Sequence, residues 1–279
     1  MNKYYAVIQA RVGSTRFPNK VMHPICEYKT VIEFLVRRLR YSKRINKIIL
    51  AIPHTYENHV LIDEANRLGI DCVIGVEDNL IKRVLGCFYA NLNSKMTDHY
   101  LKDVSFDEKS IMVDITSDCP FVCPYEIDYG IEEFEKYECD YVSNIITRSW
   151  PDGFDFQIYD PFLLYNLLYP VQIVSDDHIQ HTGWNILNYN TQLTRRYGRT
   201  LKMMNMGAAN CLFFHPDWGL TLDTKEDLQV IEKIHKIISN MRGGNTDNDY
   251  CATTIIQTVN QFKSILSENK DIKRKMPGV

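Results

Sequence analysis

The chain has 279 residues, 45% hydrophobic, 24% charged and 11% aromatic, with only 13 Gly and 10 Pro. That length can bury a full core, and the balance is globular, which excludes disordered and collagen-like classes. With 32 basic against 35 acidic residues the net charge is −3, so no bulk field draws the protein onto nucleic acid or an anionic membrane, and neither is expected as a partner.

The first fifteen residues lack the apolar core of a signal peptide, and no run reaches the roughly 18 apolar residues of a membrane-spanning helix. A cytoplasmic location is expected. Eight scattered cysteines without a CxxC pair read as reduced thiols. The nearest pair, Cys119 and Cys123, spans a proline loop and is a poor zinc site.

Residues 4–9 form a short apolar, β-branched run that predicts a buried strand feeding the polar loop ARVGSTRFPNK. Thr30 reads as the cap of an amphipathic helix through VIEFLVRRLRYS. Strands at 47–52 and 71–75 and helices at 56–68 and 80–90 follow. Short strand–helix alternation implies right-handed crossovers, hence an α/β fold with a doubly wound, mostly parallel sheet.

Residues 91–109 break the rhythm and read as an insertion. It resumes with a strand at 110–115, the loop TSDCPFVCP, a helix at 125–137 and a strand at 141–146. From 147 to 215 the pattern turns irregular and aromatic-rich, which suggests a small subregion facing substrate or a dimer partner. The aromatics between 150 and 184 read as core or dimer packing. A short strand at 220–222, a helix from Lys225 to about Ile238 capped by Thr224, a hinge at 243–249 and a last helix at 252–266 complete the chain. The division expected is a domain over 1–240 and an extension over 241–279.

The richest stretch is the first loop, where Arg11, Gly13, Ser14, Arg16 and Lys20 follow the first strand within ten residues. In an open α/β sheet ligands bind beyond the carboxyl ends of the strands, where small residues let backbone N–H groups approach phosphate. Three cations with no acidic residue before Pro24 favour phosphate over an ordinary solvated turn. Neither a Walker loop nor a dinucleotide fingerprint is present.

IQARVGSTRFPNKV resembles the opening motif of the cytidylyltransferases, matched at Gln9, Ala10, Arg11, Gly13, Ser14, Arg16, Pro18 and Lys20. The resemblance is to the branch of spore coat polysaccharide biosynthesis proteins and CMP-ulosonate synthetases. It continues in order through EDNLIKR (77–83), ITSDCP (115–120), DYVSN (140–144), WPDGFD (150–155), DDHIQH (176–181) and LTLDTKEDL (220–228). It implies a fold of the nucleotide-diphospho-sugar transferase type and a homodimer. The implied reaction is transfer of CMP from CTP to a sugar-type acceptor, acidic or phosphorylated, with release of pyrophosphate.

Residue by residue, the resemblance makes Arg11, Arg16 and Lys20 catalytic cations and assigns nucleotide binding to Ala10, Gly13, Ser14, Glu77, Asp78, Asn79 and Arg83. Alone, residues 77–79 read equally as a helix cap. Asp118 ends a buried strand where a carboxylate meets phosphate, and Asp223 ends another; the resemblance makes both ligands of Mg²⁺, whereas each alone would be an Asx turn or helix cap. Asp227 reads as first-turn helix charge.

Asn144, Arg148, Asp152 and His178 are expected to bind the acceptor. DDHIQH also offers a zinc or iron reading, which lacks further His or Cys at close spacing. Three positions depart from the family: Asp114 replaces a basic residue, Ser117 a glycine, and Asn19 the glycine before the lysine. Two rival functions remain, a glycosyltransferase of the same fold and a non-catalytic nucleotide-binding partner.

Overall fold

The structure is a computed structural model that describes residues 2–88, 110–169, 171–208, 211–242, 251–270 and 272. The expected insertion at 91–109 and hinge at 243–249 lie outside the described residues.

Seven strands form one sheet, β1 (Lys3–Gln9), β2 (Ile45–Pro53), β3 (Asp71–Gly75), β4 (Ser110–Thr116), β5 (Tyr141–Ser143), β6 (Gln157–Tyr159) and β7 (Met203–Asn205), in the order β3-β2-β1-β4-β6-β5-β7. β1 pairs in parallel with β2 and β4, and β2 with β3, whereas β6 runs antiparallel to both β4 and β5. β1 and β4 therefore flank the point where the chain reverses its direction of travel across the sheet, and a crevice opens beyond Gln9 and Thr116. Residues 147–215 do not stand apart: they supply β6 and β7 to the sheet and helices to one of its faces.

Both faces are covered, which is why the central strands read as nearly continuous apolar runs. On one face Tyr4, Ala6 and Ile8 pack with α1 (Val31–Leu39), α2 (His59–Leu68) and α4 (Pro124–Lys136). On the other, Val7 and Met112 meet α3 (Leu80–Leu85), α5 (Phe162–Leu168), α6 (Gly183–Asn188) and α7 (Asn190–Tyr197). As expected, Thr30 caps α1, its side chain accepting from Glu33 N at 2.9 Å. The helix expected from residue 56 opens as a 3₁₀ turn, Tyr56–Asn58, before α2.

A third cluster lies over the site end. There α8 (Lys225–Arg242) and α9 (Ala252–Gln261) pack with Phe17, Trp150 and Phe154. Residues from both sides of position 240 thus share one core. The strand expected at 220–222 does not form; Asp152 and Gly219 make an isolated bridge instead. Chain packing explains this. Gly153, at φ 113°, lies so close to the neighbouring segment that a Cβ there would sit 2.4 Å from the Leu220 carbonyl carbon.

This contact generates a prediction. Gly153→Ala must adopt a conformation that only glycine holds without strain and must push against backbone, so a loss of about 3 kcal/mol is expected. Urea unfolding measures it; a loss below about 0.5 kcal/mol contradicts the packing.

Candidate active site

The motif loop is built by short local hydrogen bonds. Ser14 N and Asn19 N both donate to Val12 O, at 2.8 and 3.0 Å, while Val12 N donates to Asn58 Oδ1 at 2.9 Å. Val12 and Phe17 are buried and anchor the loop, leaving Arg11, Gly13 and Arg16 exposed. A Cβ at Gly13 would meet nothing within 4 Å, so the backbone there faces open space. Asn19 sits at φ 57°, a left-handed conformation that asparagine tolerates nearly as well as glycine. That accounts for asparagine in the place of the family's glycine.

The turn at Asn19 directs Lys20 inward. Its ammonium is 2.8 Å from Asp118 Oδ2 and 2.9 Å from Asp223 Oδ1, and Arg16 Nη2 is 2.9 Å from Asp223 Oδ2. Burial opposes the charge on Lys20, but Asp118 and Asp223 more than offset it and hold the ammonium above the ordinary lysine value. Two of the three expected phosphate-binding cations are therefore paired with the chain's own carboxylates. Arg11 is the exception, exposed and without an ion pair among the described residues.

Asp118 and Asp223 lie 105 positions apart in sequence and meet because Leu222 N donates to Asp118 O at 2.8 Å. Asp223 is held from behind by Asp227, which is fully buried and accepts from Asp223 N, Thr224 N and Thr224 Oγ1 at 3.0, 2.9 and 3.0 Å. Thr224 Oγ1 accepts in return from Asp227 N. Asp227 is thus a reciprocal helix cap and more than first-turn charge. The T-x-x-D spacing was the signal for it. Asn269, outside the resemblance, donates to Asp227 Oδ1 at 2.9 Å.

The two carboxylates turn oxygens toward one point, the position of the Lys20 ammonium, and both are partly open to solvent. Hard oxygen donors from two carboxylates suit a divalent cation such as Mg²⁺, which would compete with the Lys20 ammonium for them.

Beyond β3, Asn79 accepts from Lys82 N at 2.9 Å and caps α3; its side-chain oxygen is spent on the cap. Glu77 and Asp78 are exposed, and Asp78 O accepts from Gln180 Nε2 at 2.6 Å. Arg83 is buried and donates to Val76 O and Glu77 O at 2.8 and 3.2 Å. Burial first, then nearby Arg11, pull its pKa down to about 10. Ala10 is buried, and its N–H donates to Ala51 O at 3.2 Å. Ser14 Oγ accepts from Phe17 N at 3.4 Å.

The expected acceptor residues divide. Asn144 is buried, donates to Phe154 O at 2.9 Å and accepts from Phe156 N at 3.0 Å, so both polar ends are consumed by backbone and it serves as a brace. Arg148 holds Asp155 in a fork at 2.9 and 2.7 Å, with Asp152 at 3.7 Å. Asp155, inside the quoted WPDGFD, went unassigned. His178 lies in a 3₁₀ turn, its Nδ1 3.0 Å from Tyr189 Oη and its ring against Trp184. The turn ends at His178, so His178 and His181 share no helix face.

A network unseen in sequence joins the halves. Asp114 is fully buried and accepts from Gln9 Nε2, from Tyr159 Oη at 2.7 Å and from Thr182 Oγ1 at 2.5 Å. Burial raises its pKa despite these donors. Its departure from the family was the available signal.

Among the described residues no helix is long and apolar enough to cross a membrane. The sequence profile of the cytidylyltransferase family matches residues 5–149. The chain is 25% identical over 240 residues to the spore coat polysaccharide biosynthesis protein SpsF of Bacillus subtilis, covering 85% of this chain and 88% of that one. A solved cytidylyltransferase from Leptospira borgpetersenii superposes with a TM-score of 0.76 at 21% identity, covering 98% of this chain and 100% of that one. A CMP:2-keto-3-deoxy-manno-octonic acid synthetase solved with CTP gives 0.50 at 12%, covering 84% and 99%. The profile takes in just over half the residues, and the fold and the ordered motifs agree with it: the chain belongs to the cytidylyltransferase family and is a CTP-dependent nucleotidyltransferase.

Proposed function

We propose that the chain transfers CMP from CTP to a sugar-type acceptor, acidic or phosphorylated, in the synthesis of a cell-surface polysaccharide. The observation that carries this is the convergence of Lys20, Asp118 and Asp223 at the crevice beyond β1 and β4. The similarity to SpsF supports the polysaccharide setting.

In this reading the acceptor oxygen attacks the α-phosphorus in line and pyrophosphate leaves, so the protein contributes positioning and charge. Arg11 meets the triphosphate first. Arg16 and Lys20, already aligned by their carboxylates, neutralise charge that grows on the departing pyrophosphate. Asp118 and Asp223 would hold Mg²⁺, which when bound polarises phosphoryl oxygens. The loop over Gly13 and Ser14 admits phosphate to the backbone, and Arg83 stiffens the turn at Glu77 and Asp78. Arg148, Asp152 and His178 border the acceptor.

Arg11→Ala keeps the wild-type melting temperature and Lys20→Ala lowers it, because only the second strands two carboxylates. Each is expected to lose about a hundredfold or more in kcat for pyrophosphate release. Near-normal turnover in either variant removes that cation from the mechanism.

Asp118→Asn and Asp223→Asn keep side-chain shape but remove the charge a hard cation needs. Calorimetry is expected to show weakened Mg·CTP binding and an assay reduced Mg²⁺-dependent turnover. Unchanged values in both eliminate the two-carboxylate model.

Arg148→Ala and His178→Ala are expected to bind CTP as the wild type does, while raising KM for the acceptor or lowering kcat. A panel of ulosonic acids and sugar phosphates, read by pyrophosphate release, identifies the acceptor. Equal loss of CTP affinity in both variants refutes the partition.

A further inference from the structure

Five residues beyond Lys20 the chain makes a tight turn: Ile25 N donates to Tyr28 O at 3.2 Å and Tyr28 N to Ile25 O at 2.9 Å. Cys26, at φ 52°, takes the first central position, whereas Glu27 is not in the left-handed region. In a two-residue turn of this kind that position belongs to glycine. A cysteine there carries a steric penalty, and such strain gathers at functional sites.

The turn faces α8. His235, buried on that helix, is held by Tyr28 and Phe34 at ring separations of 5.8 and 5.9 Å. It places Nε2 3.2 Å from Glu27 Oε2. One donor atom each from Cys26, Glu27 and His235 lies within 4.8 Å of the others. Partial burial of the sulfur, then Glu232 and Glu27, push the thiol up to about 12. Glu232, nearly one helical turn before His235, therefore turns its field on the same point.

We propose that Cys26, Glu27 and His235 form a binding site for a divalent transition-metal ion of the zinc class. Thiolate, imidazole and carboxylate are the donors such an ion selects. Bonds of 2.0–2.3 Å in a tetrahedron put ligand atoms about 3.5 Å apart, so the exposed Cys26 and Glu27 need close in by only about an ångström around the fixed imidazole. As the metal–sulfur bond forms, the thiol proton leaves to solvent. Water fills the fourth position. The ion would staple the loop that carries Lys20 to the helix whose first turn follows Asp223.

The full chain, stripped with a chelator and kept free of nucleotide, is titrated with Co²⁺ and then Zn²⁺. The wild type is expected to develop a thiolate-to-cobalt charge-transfer band and the visible bands of four-coordinate cobalt, both abolished by Zn²⁺, which also raises the melting temperature. Cys26→Gly suits the turn and keeps the fold, yet loses Co²⁺ affinity at least about a hundredfold, beyond what loss of an outer ligand partner costs. His235→Gln behaves alike. A wild type without the charge-transfer band, or a glycine variant that binds Co²⁺ equally well, overturns the site.

Discussion

The ammonium of Lys20, held between Asp118 and Asp223, determines where every other active-site group must lie. Three segments from the beginning, middle and end of the chain meet at that one charge, and the ammonium cannot be buried there without the two carboxylates. Two aspartates facing one another unpaired would repel, and a lysine withdrawn from water alone would lose its proton. Each loop is therefore positioned by the charge of its neighbours as much as by its own hydrogen bonds. The cap formed by Asp227 and the bond from Leu222 N to Asp118 O hold the two carboxylates at the distance the ammonium requires.

A fully buried carboxylate, Asp114, works by different chemistry. Asp114 has only neutral donors around it, from Gln9, Tyr159 and Thr182. It thereby links the end of β1, the antiparallel β6 and the start of α6, and it brings the segment carrying His178 onto the sheet. A basic residue in this place could not accept these bonds, so the exchange at position 114 changes the wiring between the nucleotide side and the far side of the crevice. The loop at Glu77 and Asp78 is tied to the same segment through Gln180.

Much of the architecture is written in local pattern. The central strands are buried on both faces, so their apolar runs are unbroken, and the bounds of β3 match the expected ones. The three-residue strands β6 and β7 lack such runs. They exist because neighbouring strands offer hydrogen-bonding edges, which no local reading can reveal, and so residues 147–215 looked irregular. Similarly, nothing around Asn144 announces that both ends of its amide are taken by backbone ten and twelve positions away. The proximity of Lys20, Asp118 and Asp223 came only from the ordered series of motifs, since spacing alone left each aspartate an ordinary cap. Pairing of Arg16 and Lys20 with the chain's own carboxylates went unforeseen because charge along a loop says nothing about counter-charges that fold onto it.

The bond between Lys20 and Asp223 spans 203 positions, and this separation has consequences for how the protein comes into being. Closing so long a loop costs entropy that only late contacts repay, so contact order makes this a slow-folding topology. During synthesis the parallel strands β1 to β4 leave the ribosome well before Asp223 exists. Through that interval Lys20 and Asp118 can pair only with each other, and the apolar surface destined for α8 stays uncovered. Catalytic competence arrives last, with the final quarter of the chain.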